Sequence, residues 1–381
     1  MLARARQGAI LDPMAPEPRR EHILEFDLLR GAAIIAVVYL HAYFTPWPEA
    51  GQDGLVLLHF AHLFAHGAVP LFLFIAAYLQ GAGPVESPWR HLRHRFSSVW
   101  LPVILWMGAT LVYRLLTADH SDHVWRDLAF FDISGQFYFV WLLLVFGLVL
   151  TQGHRLSLRT LWVLTAVAFA VNLGTIAYYA SQSSISGLFA TFAYRNPAAW
   201  VFFPALGYTL GRAGIPRVRG RVALAAAGAM VLIAAIYLYR GIAFDSYPVS
   251  YFGLTIFLFS SAGMLVYPHV AAWCLGVRSV ARPLLGLARY SFPIYLVHLP
   301  FAVGFGTKEL LGNGADWSNY WLLLHANAFV GLFVSLAFVR ELDKASPRLG
   351  RLLLGIRRGA GERGGRFRRP PASSGNARGT I

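Results

Sequence analysis

Two ionisable residues, Arg30 and His41, lie in an apolar segment close to the start of the chain. Their spacing corresponds to about three helical turns, so both side chains project from one stripe of a helix, about 16 Å apart along its axis. Ionisable groups are costly inside a membrane, so their presence in a membrane segment indicates a functional role. Because histidine can abstract a proton near neutral pH, His41 is a candidate general base. Two structural interpretations stay open: Arg30 as an interface anchor paired with Asp27, and His41 as a neutral imidazole bonded to a neighbouring helix.

Further histidines fall at the same predicted depth. His59, His62 and His66 form one stripe of the second apolar segment, and His298 lies in the ninth. Helical rise brings His41, His62 and His298 from three helices to one level. The spacing of His62 and His66 would also suit zinc, but no HExxH motif or flanking carboxylate completes such a site, so we expect no metal. Histidines that satisfy one another around a polar cavity are the remaining structural interpretation.

Composition predicts the elements that position these residues. Of the 381 residues, 57% are hydrophobic and 13% are charged, against about 45–50% and about 25% in a soluble domain. A helix needs about 20 mostly apolar residues to cross a bilayer. We therefore predict an all-α, polytopic membrane helical bundle with about ten transmembrane helices. The predicted spans are 28–46, 55–80, 97–117, 136–151, 159–180, 197–211, 221–239, 248–268, 283–306 and 319–340.

Loop charges predict the orientation of these spans, because Lys and Arg accumulate on the cytoplasmic side. One alternating set of loops is basic and contains Arg90, Arg93, Arg95, Arg155, Arg159, Arg212, Arg217, Arg219, Arg278 and Arg282. The other set is mainly acidic and contains Glu49, Asp53, Asp119, Asp122, Asp127, Asp132, Asp245, Glu309 and Asp316. We name these the basic-loop side and the acidic-loop side. Ten spans with both termini in the cytoplasm place every basic loop inside and every mainly acidic loop outside. We expect the protein to lie in the cytoplasmic (inner) membrane.

Both ends of the chain differ from the transmembrane domain, which we place at 23–343. Residues 1–22 have neither the apolar stretch nor the cleavage site of a signal peptide, and we expect a disordered cytoplasmic segment. Residues 344–381 form a basic tail rich in Arg, Gly, Pro and Ser that we also expect to be disordered. This tail suits contact with anionic lipid headgroups, which we favour over binding of nucleic acid.

Five segments, taken in order, resemble the acyltransferase 3 family of membrane acyltransferases. They are Phe26–Gly31 followed by His41, Val69–Leu79, Arg93 to Pro102, Gln136–Phe139 and Tyr290–His298. The resemblance covers nearly the whole transmembrane part. The chain departs from the family pattern at Ala76-Ala77, where many members have Ser-Gly, and at Ser97-Ser98, where another arginine is common. Helix packing or donor contacts are expected to differ there.

The resemblance implies transfer of a short acyl group, most often acetyl, from cytoplasmic acyl-CoA to a hydroxyl of a saccharide. Acyl-CoA carries phosphates, for which arginine is a suited partner, and Arg30, Arg93 and Arg95 are the predicted donor-binding residues. Substitution of Arg30 by alanine is expected chiefly to weaken use of the donor. His41 would then act as general base on the acceptor hydroxyl.

Other polar residues would support this reaction. His298 and Tyr295 are candidates to orient His41 or to donate to the developing oxyanion. Asp27, His62 and His66 are expected as orienting or structural polar residues. Transient acylation of His41 stays open at this point.

Two other classes of protein compete with the transferase interpretation. A proton-coupled transporter or flippase could also contain histidines near the midplane, although the chain shows no paired repeats or corresponding broken helices. A family member that acts as a sensor or scaffold is the third class, and the retention of Arg30, His41 and His298 argues against it. The acceptor, the acyl chain and the oligomeric state stay open.

Overall fold

A computed structural model describes residues 23–42, 52–116, 124–182, 187–244, 251–299 and 317–356. Within these ranges the regular elements are helices and no strand occurs, which confirms the all-α class. The α-helices are α1 (Leu24–His41), α2 (Gln52–Ala65), α3 (Ala68–Ala82), α4 (Pro88–Arg95), α5 (Leu101–Leu116), α6 (Val124–Ala129), α7 (Tyr138–Leu150), α8 (Leu158–Ala180), α9 (Gly187–Arg195), α10 (Phe202–Arg212), α11 (Gly220–Phe244), α12 (Leu254–Leu275), α13 (Arg278–Ala288), α14 (Ser291–Leu299), α15 (Trp317–Ala345) and α16 (Pro347–Leu354).

Seven helices in the described ranges are long and apolar enough to cross a membrane. They span Leu58–Ala82, Pro88–Leu116, Gly135–Arg155, Leu158–Ala180, Gly220–Ala243, Leu254–Leu275 and Leu324–Ala345. Each overlaps one of the predicted spans, which confirms the polytopic membrane bundle. Large apolar side chains such as Leu224, Val231 and Trp273 are exposed on these helices. This exposure is expected where a helix faces lipid, because every backbone polar group is satisfied within the helix.

The other three predicted spans correspond to shorter or interrupted helices. α1 has 18 residues and carries Glu25 and Asp27 in its first turn. The sixth span contains α10, which has 11 residues and follows a 3-10 turn at Pro197–Ala199. The ninth span, predicted as one helix over 283–306, is divided into α13 and α14, and its residues from 300 onward lie outside the described ranges.

Proline explains why two predicted helices are interrupted. Pro293 has no N–H to donate to the carbonyl of Arg289, so α13 and α14 are separate helices. Pro70 likewise cannot donate to the carbonyl of His66, and the second span divides there into α2 and α3. The interruptions place two buried polar side chains at helix ends: His66 lies between α2 and α3, and Ser291 is the first residue of α14.

Close packing of α3 against α10 depends on glycine. A Cβ built on Gly207 would overlap the carbonyl oxygen of Phe74, and one built on Gly211 would overlap that of Tyr78. The two backbones are therefore in direct contact, as small residues permit in membrane helix pairs. This contact fixes α3, which lines both of the cavities described below.

Substitution of Gly207 by alanine should lower the free energy of unfolding by about 1–3 kcal/mol, because an added methyl group must separate α3 from α10. The matched control is Gly228→Ala on α11, where an added Cβ meets no heavy atom within 4 Å. That control should be stabilised by about 0.5–1 kcal/mol, because alanine restricts the unfolded chain more than glycine does. Thermal unfolding of the purified variants in detergent measures both effects. Equal behaviour of the two variants would contradict the close contact.

The first part of the basic tail is ordered, which corrects the expectation of disorder for residues 344–356. Ser346 caps α16 by accepting from the amide of Leu349, and the indole of Trp106 donates to the carbonyl of Leu353 (2.9 Å). Gly355 ends the helix with a φ of +65°, and a Cβ there would also overlap the carbonyl of Ser98. Packing against α5 therefore outweighs the polar composition of this segment. Residues 357–381 and 1–22 lie outside the described ranges.

Candidate active site

A cavity of about 730 Å³ is lined by His41 and by residues of α2, α7, α9 and α14. We name it the His41 cavity, and its lining includes His59, His62, His66, Tyr138, Arg195 and Tyr251. Asp132, which precedes α7, and Arg195, the last residue of α9, are at its wall, and both fall between predicted spans on the acidic-loop side. The structure therefore brings four of the singled-out histidines to one cavity on that side of the bundle.

His41 and His298 are in direct contact, which agrees with their predicted common depth. Nε2 of His298 lies 3.3 Å from Nδ1 of His41, and the ring centroids are 5.0 Å apart. Nδ1 of His41 also lies 2.8 Å from the carbonyl oxygen of Val37, and Nδ1 of His298 lies 2.8 Å from that of Tyr295. His298 is fully buried, whereas His41 is half-buried at the cavity wall.

These carbonyl contacts determine the neutral tautomers of both rings. A carbonyl oxygen only accepts, so each Nδ1 must carry the proton, and a neutral imidazole has one N–H. Nε2 of His298 therefore presents a lone pair toward the Nδ1–H of His41. Nε2 of His41 in turn keeps a lone pair, which is what a general base requires.

The remaining histidines extend the polar wall of the cavity. Nδ1 of His66 donates to the carbonyl of His62 (2.7 Å), and the two rings lie 5.8 Å apart between centroids. The His66 ring also packs against Tyr251 at 4.7 Å, and the His62 ring against Tyr39 at 6.1 Å. Among the described residues, no three His, Cys, Asp or Glu side chains are arranged to hold a metal ion.

Tyr295 lines the His41 cavity, but its hydroxyl is engaged. It donates to the backbone carbonyl of Gln136, at the 3-10 turn that precedes α7. The ring packs edge-on against Phe139 at 5.5 Å between centroids. Tyr295 therefore connects α14 to the start of α7 in this state, which agrees better with an orienting role than with donation to an oxyanion.

Arg195 is a site residue that the motif analysis did not select. Its guanidinium donates to the carbonyls of Phe130, Phe131 and Thr191 and to the carboxylate of Asp132. Phe131 has a φ of +58°, in the left-handed region that side chains rarely adopt. Burial lowers the pKa of Arg195, and the charge of Asp132 opposes that shift. The guanidinium stays protonated and fixes this loop at the cavity wall. The only feature of the sequence that could have selected Arg195 was its position as a basic residue on the mainly acidic side.

Substitution of Arg195 by leucine should lower the free energy of unfolding by about 3–5 kcal/mol, because it removes the charge partner of Asp132 and the donor of three carbonyls. The matched control is Arg240→Leu, at an exposed position on α11. A substitution there should have a smaller effect. Urea or thermal unfolding in detergent compares the two variants, and equal losses would show that the loop does not depend on Arg195.

Arg30 lies apart from the His41 cavity. Its guanidinium donates to Asp27 (3.4 Å), as the i,i+3 spacing predicts, and to the hydroxyl of Ser291 (3.3 Å). Its side chain is 33% exposed. Arg30 therefore connects α1 to the first residue of α14, the helix that carries His298. Its predicted role in donor binding stays a prediction.

A second cavity, of about 340 Å³, lies between α3, α4, α7 and α10. We name it the basic crevice, and its acidic, arginine and histidine lining residues are Glu86, His91, His94, Arg95, His154 and Arg212. These residues come from three of the loops on the basic-loop side. Arg95 belongs to the lining, whereas Arg93 is exposed and does not. Of these two predicted donor-binding residues, only Arg95 therefore lines the crevice.

A model of the acyltransferase 3 family, described as an acyltransferase domain, matches residues 23–340. A search of the curated proteins and a search of the solved structures each gave no significant match.

Proposed function

Because the chain belongs to the acyltransferase 3 family and is a membrane acyltransferase, we propose that it transfers a short acyl group, in the first instance acetyl, from acyl-CoA to a saccharide hydroxyl. The saccharide is a component of the cell envelope or an exported glycan. The protein would lie in the cytoplasmic membrane with its basic loops inside. The contact between His41 and His298 at the cavity wall is the observation that carries this proposal.

In the proposed reaction, Nε2 of His41 accepts the proton of the acceptor hydroxyl as its oxygen attacks the thioester carbonyl. The carbon–sulfur bond then breaks, the CoA thiolate leaves, and the proton is returned to that sulfur. General-base catalysis of this kind typically contributes about 10²–10⁴-fold in rate. His298, together with the carbonyl of Val37, would accept from Nδ1–H of His41 throughout and so hold the imidazole in the basic tautomer.

The lining of the His41 cavity supports a saccharide acceptor. Rings of Tyr138, Tyr194 and Tyr251 line it together with the polar Thr191 and Asp132. Tyrosine presents an apolar ring and a polar hydroxyl, which match the C–H faces and hydroxyl edges of a sugar. The volume of about 730 Å³ is within the range of small-molecule sites.

The proposed function is tested with radiolabelled acetyl-CoA on inverted membrane vesicles that contain the protein and total cell-envelope glycan. We expect label on glycan with the natural chain and none with His41→Ala. Movement of unlabelled glycan across the vesicle membrane without acetyl transfer would support a transporter and contradict the proposal. Mass spectrometry of the labelled glycan identifies the acceptor position and the acyl group.

Substitution of His298 by leucine should lower kcat by about 10-fold, which corresponds to about 1.4 kcal/mol, because the Nδ1–H of His41 loses one of its two acceptors and the ring is then held by the Val37 carbonyl alone. His298→Gln provides the matched comparison, since its side-chain carbonyl can accept from the Nδ1–H of His41. We expect partial recovery in this variant. Equal activity of both variants and the natural chain would remove His298 from the mechanism.

A further inference from the structure

A further cavity, of about 350 Å³, lies across α9 from the His41 cavity. We name it the aromatic pocket. Side chains from α7, α8 and α9 line it, together with residues that follow α6 and α9 in the chain. Its aromatic and polar lining residues are Phe130, Trp141, Tyr179, Phe192, Arg195 and Asn196. The pocket thus combines four aromatic rings with a guanidinium and an amide.

Helix α9 separates the aromatic pocket from the His41 cavity. Ala190, Thr191 and Tyr194 line the His41 cavity, whereas Phe192 lines the aromatic pocket. At about 100° per residue, the first three positions share one sector of the helix and Phe192 falls about 100° beyond its edge. Arg195 falls between the two directions and lines both cavities. The cavities are therefore neighbours, with Arg195 at their boundary.

The segment before α7 also contributes to both cavities. Phe130 lines the aromatic pocket, and Asp132 lines the His41 cavity. Phe131, which lies between them, has the positive φ noted above. Arg195 holds this turn by donating to the carbonyls of Phe130 and Phe131 and to the carboxylate of Asp132. One guanidinium thus positions a side chain in the wall of each cavity.

The aromatic pocket lies at the level of the loops on the acidic-loop side. Phe130 precedes the fourth predicted span, and Phe192 and Asn196 fall between the fifth and the sixth. Tyr179 is in the last turn of α8, and Trp141 is in the first turn of α7. A ligand therefore reaches this pocket from the same side of the bundle as the proposed acceptor reaches the His41 cavity.

Two rings of the pocket are accessible. Phe130 is 37% exposed and Phe192 is 50% exposed, and they meet edge to face with centroids 5.1 Å apart. Trp141 donates from its indole to the carbonyl of Arg195 (3.2 Å) and so fixes the end of α9 beside them. An exposed apolar patch with a polar rim is typical of a binding surface.

Polar groups border these rings. The hydroxyl of Tyr179 accepts from the side-chain amide of Asn196 (2.9 Å). A phenol that accepts can still donate its own O–H, and the amide nitrogen has a second N–H. Nη1 of Arg195 also has two N–H groups, of which one donates to the carbonyl of Thr191. The rim therefore offers donors to hydroxyl groups next to rings that suit C–H faces, which is the combination that a sugar presents.

We propose that the aromatic pocket binds a second sugar unit of the acceptor glycan while the unit that receives the acyl group occupies the His41 cavity. This proposal rests on the proposed function and narrows its acceptor to an oligosaccharide or polymer. Phe130 and Phe192 contact the C–H faces of the second unit, and Tyr179 and Asn196 bond its hydroxyls. The glycan passes the boundary of the two cavities beside Arg195.

A lipid chain at the membrane surface is the alternative occupant. Tryptophan and tyrosine are enriched at this level of membrane proteins, and a hydrocarbon chain would also cover the exposed rings. Such a chain has no hydroxyl to bond with the donors of Tyr179 and Asn196. A lipid contact also needs only apolar surface, whereas a sugar needs the flat face of a ring. This difference is used in the test.

The length of the acceptor provides the first measurement. Total cell-envelope glycan is partially hydrolysed and separated by size, and each fraction is offered with radiolabelled acetyl-CoA to the full-length protein in detergent. For the natural chain we expect kcat/KM to be about 10-fold or more higher with fragments of several sugars than with single sugars, because only the longer fragments fill both cavities.

Variants of Phe192 provide the second measurement. Half of this residue is exposed, so its substitution should leave the fold intact. Phe192→Leu keeps an apolar side chain without a ring, and it should raise the KM for the longer fragments by about 10-fold. Phe192→Tyr keeps the ring and should bind these fragments nearly as well as the natural chain. The control is Trp125→Leu on α6, which is 79% exposed, lines neither cavity and should have no effect.

The outcomes separate this inference from the proposed function. Equal kcat/KM of the natural chain for short and long fragments would overturn the second sugar site and leave the proposed function intact. An unchanged KM in Phe192→Leu would also overturn it, because an apolar contact such as a lipid chain does not depend on the ring. Absence of label on every fraction with the natural chain would instead overturn the proposed function, and the second sugar site with it.

Discussion

Substitution of His41 by alanine should reduce acyl transfer by about 10²–10⁴-fold, the usual contribution of a general base. The physical reason is the lone pair on Nε2 of His41, which the contacts of Nδ1 with Val37 and His298 leave available. Radiolabelled acetyl transfer to glycan measures the loss. The variant should remain folded and inserted, because His41 is half-buried at the wall of a cavity and not packed in the core.

His269→Ala is the matched control for this result. His269 is also a membrane histidine with a carbonyl partner, Val218 at 2.9 Å, but it does not line the His41 cavity. We expect near-normal activity for this variant and an unchanged elution volume in gel filtration for both. Near-normal product from His41→Ala would remove His41 from the mechanism.

Substitution of Arg30 by alanine should lower kcat by about 10–100-fold and change the KM for acetyl-CoA less. Arg30 bonds Ser291 at the start of α14 and Asp27 on its own helix, so its loss should let α14 shift and separate His298 from His41. A change of 1 Å in the position of catalytic groups can cost about 100-fold in rate. Steady-state kinetics with varied acetyl-CoA give both parameters.

A second substitution at the same contact sharpens this prediction. Ser291→Ala removes the hydroxyl partner of Arg30 and keeps the charge at that side of the bundle, so it should reproduce part of the loss of kcat. The donor-binding role predicted from the sequence gives the opposite pattern. It would be supported by a raised KM in Arg30→Ala and by no effect in Ser291→Ala.

Periodicity within one helix was sufficient to predict several features. The alignment of Arg30 with His41 and the pair of Arg30 with Asp27 depend only on 3.6 residues per turn, and both lie on α1 as expected. The depth of His298 also followed from helical rise. All membrane-spanning helices cross the same bilayer, so positions on helices from distant parts of the chain can be compared by their depth in it. The 3.3 Å contact of His298 with His41 agrees with the common depth predicted for them.

The sequence by itself determined the membrane bundle, its family resemblance and the histidines that share a depth, because these depend on local composition, motif order and helical geometry. Tertiary structure alone decided the partners of Arg195 and Tyr295, which lie 63 and 159 positions away along the chain. It also decided which apolar residues line a cavity. Leu73 and Leu143 resemble any other leucine in a membrane helix, and only the packing of α3 beside α7 leaves space between them.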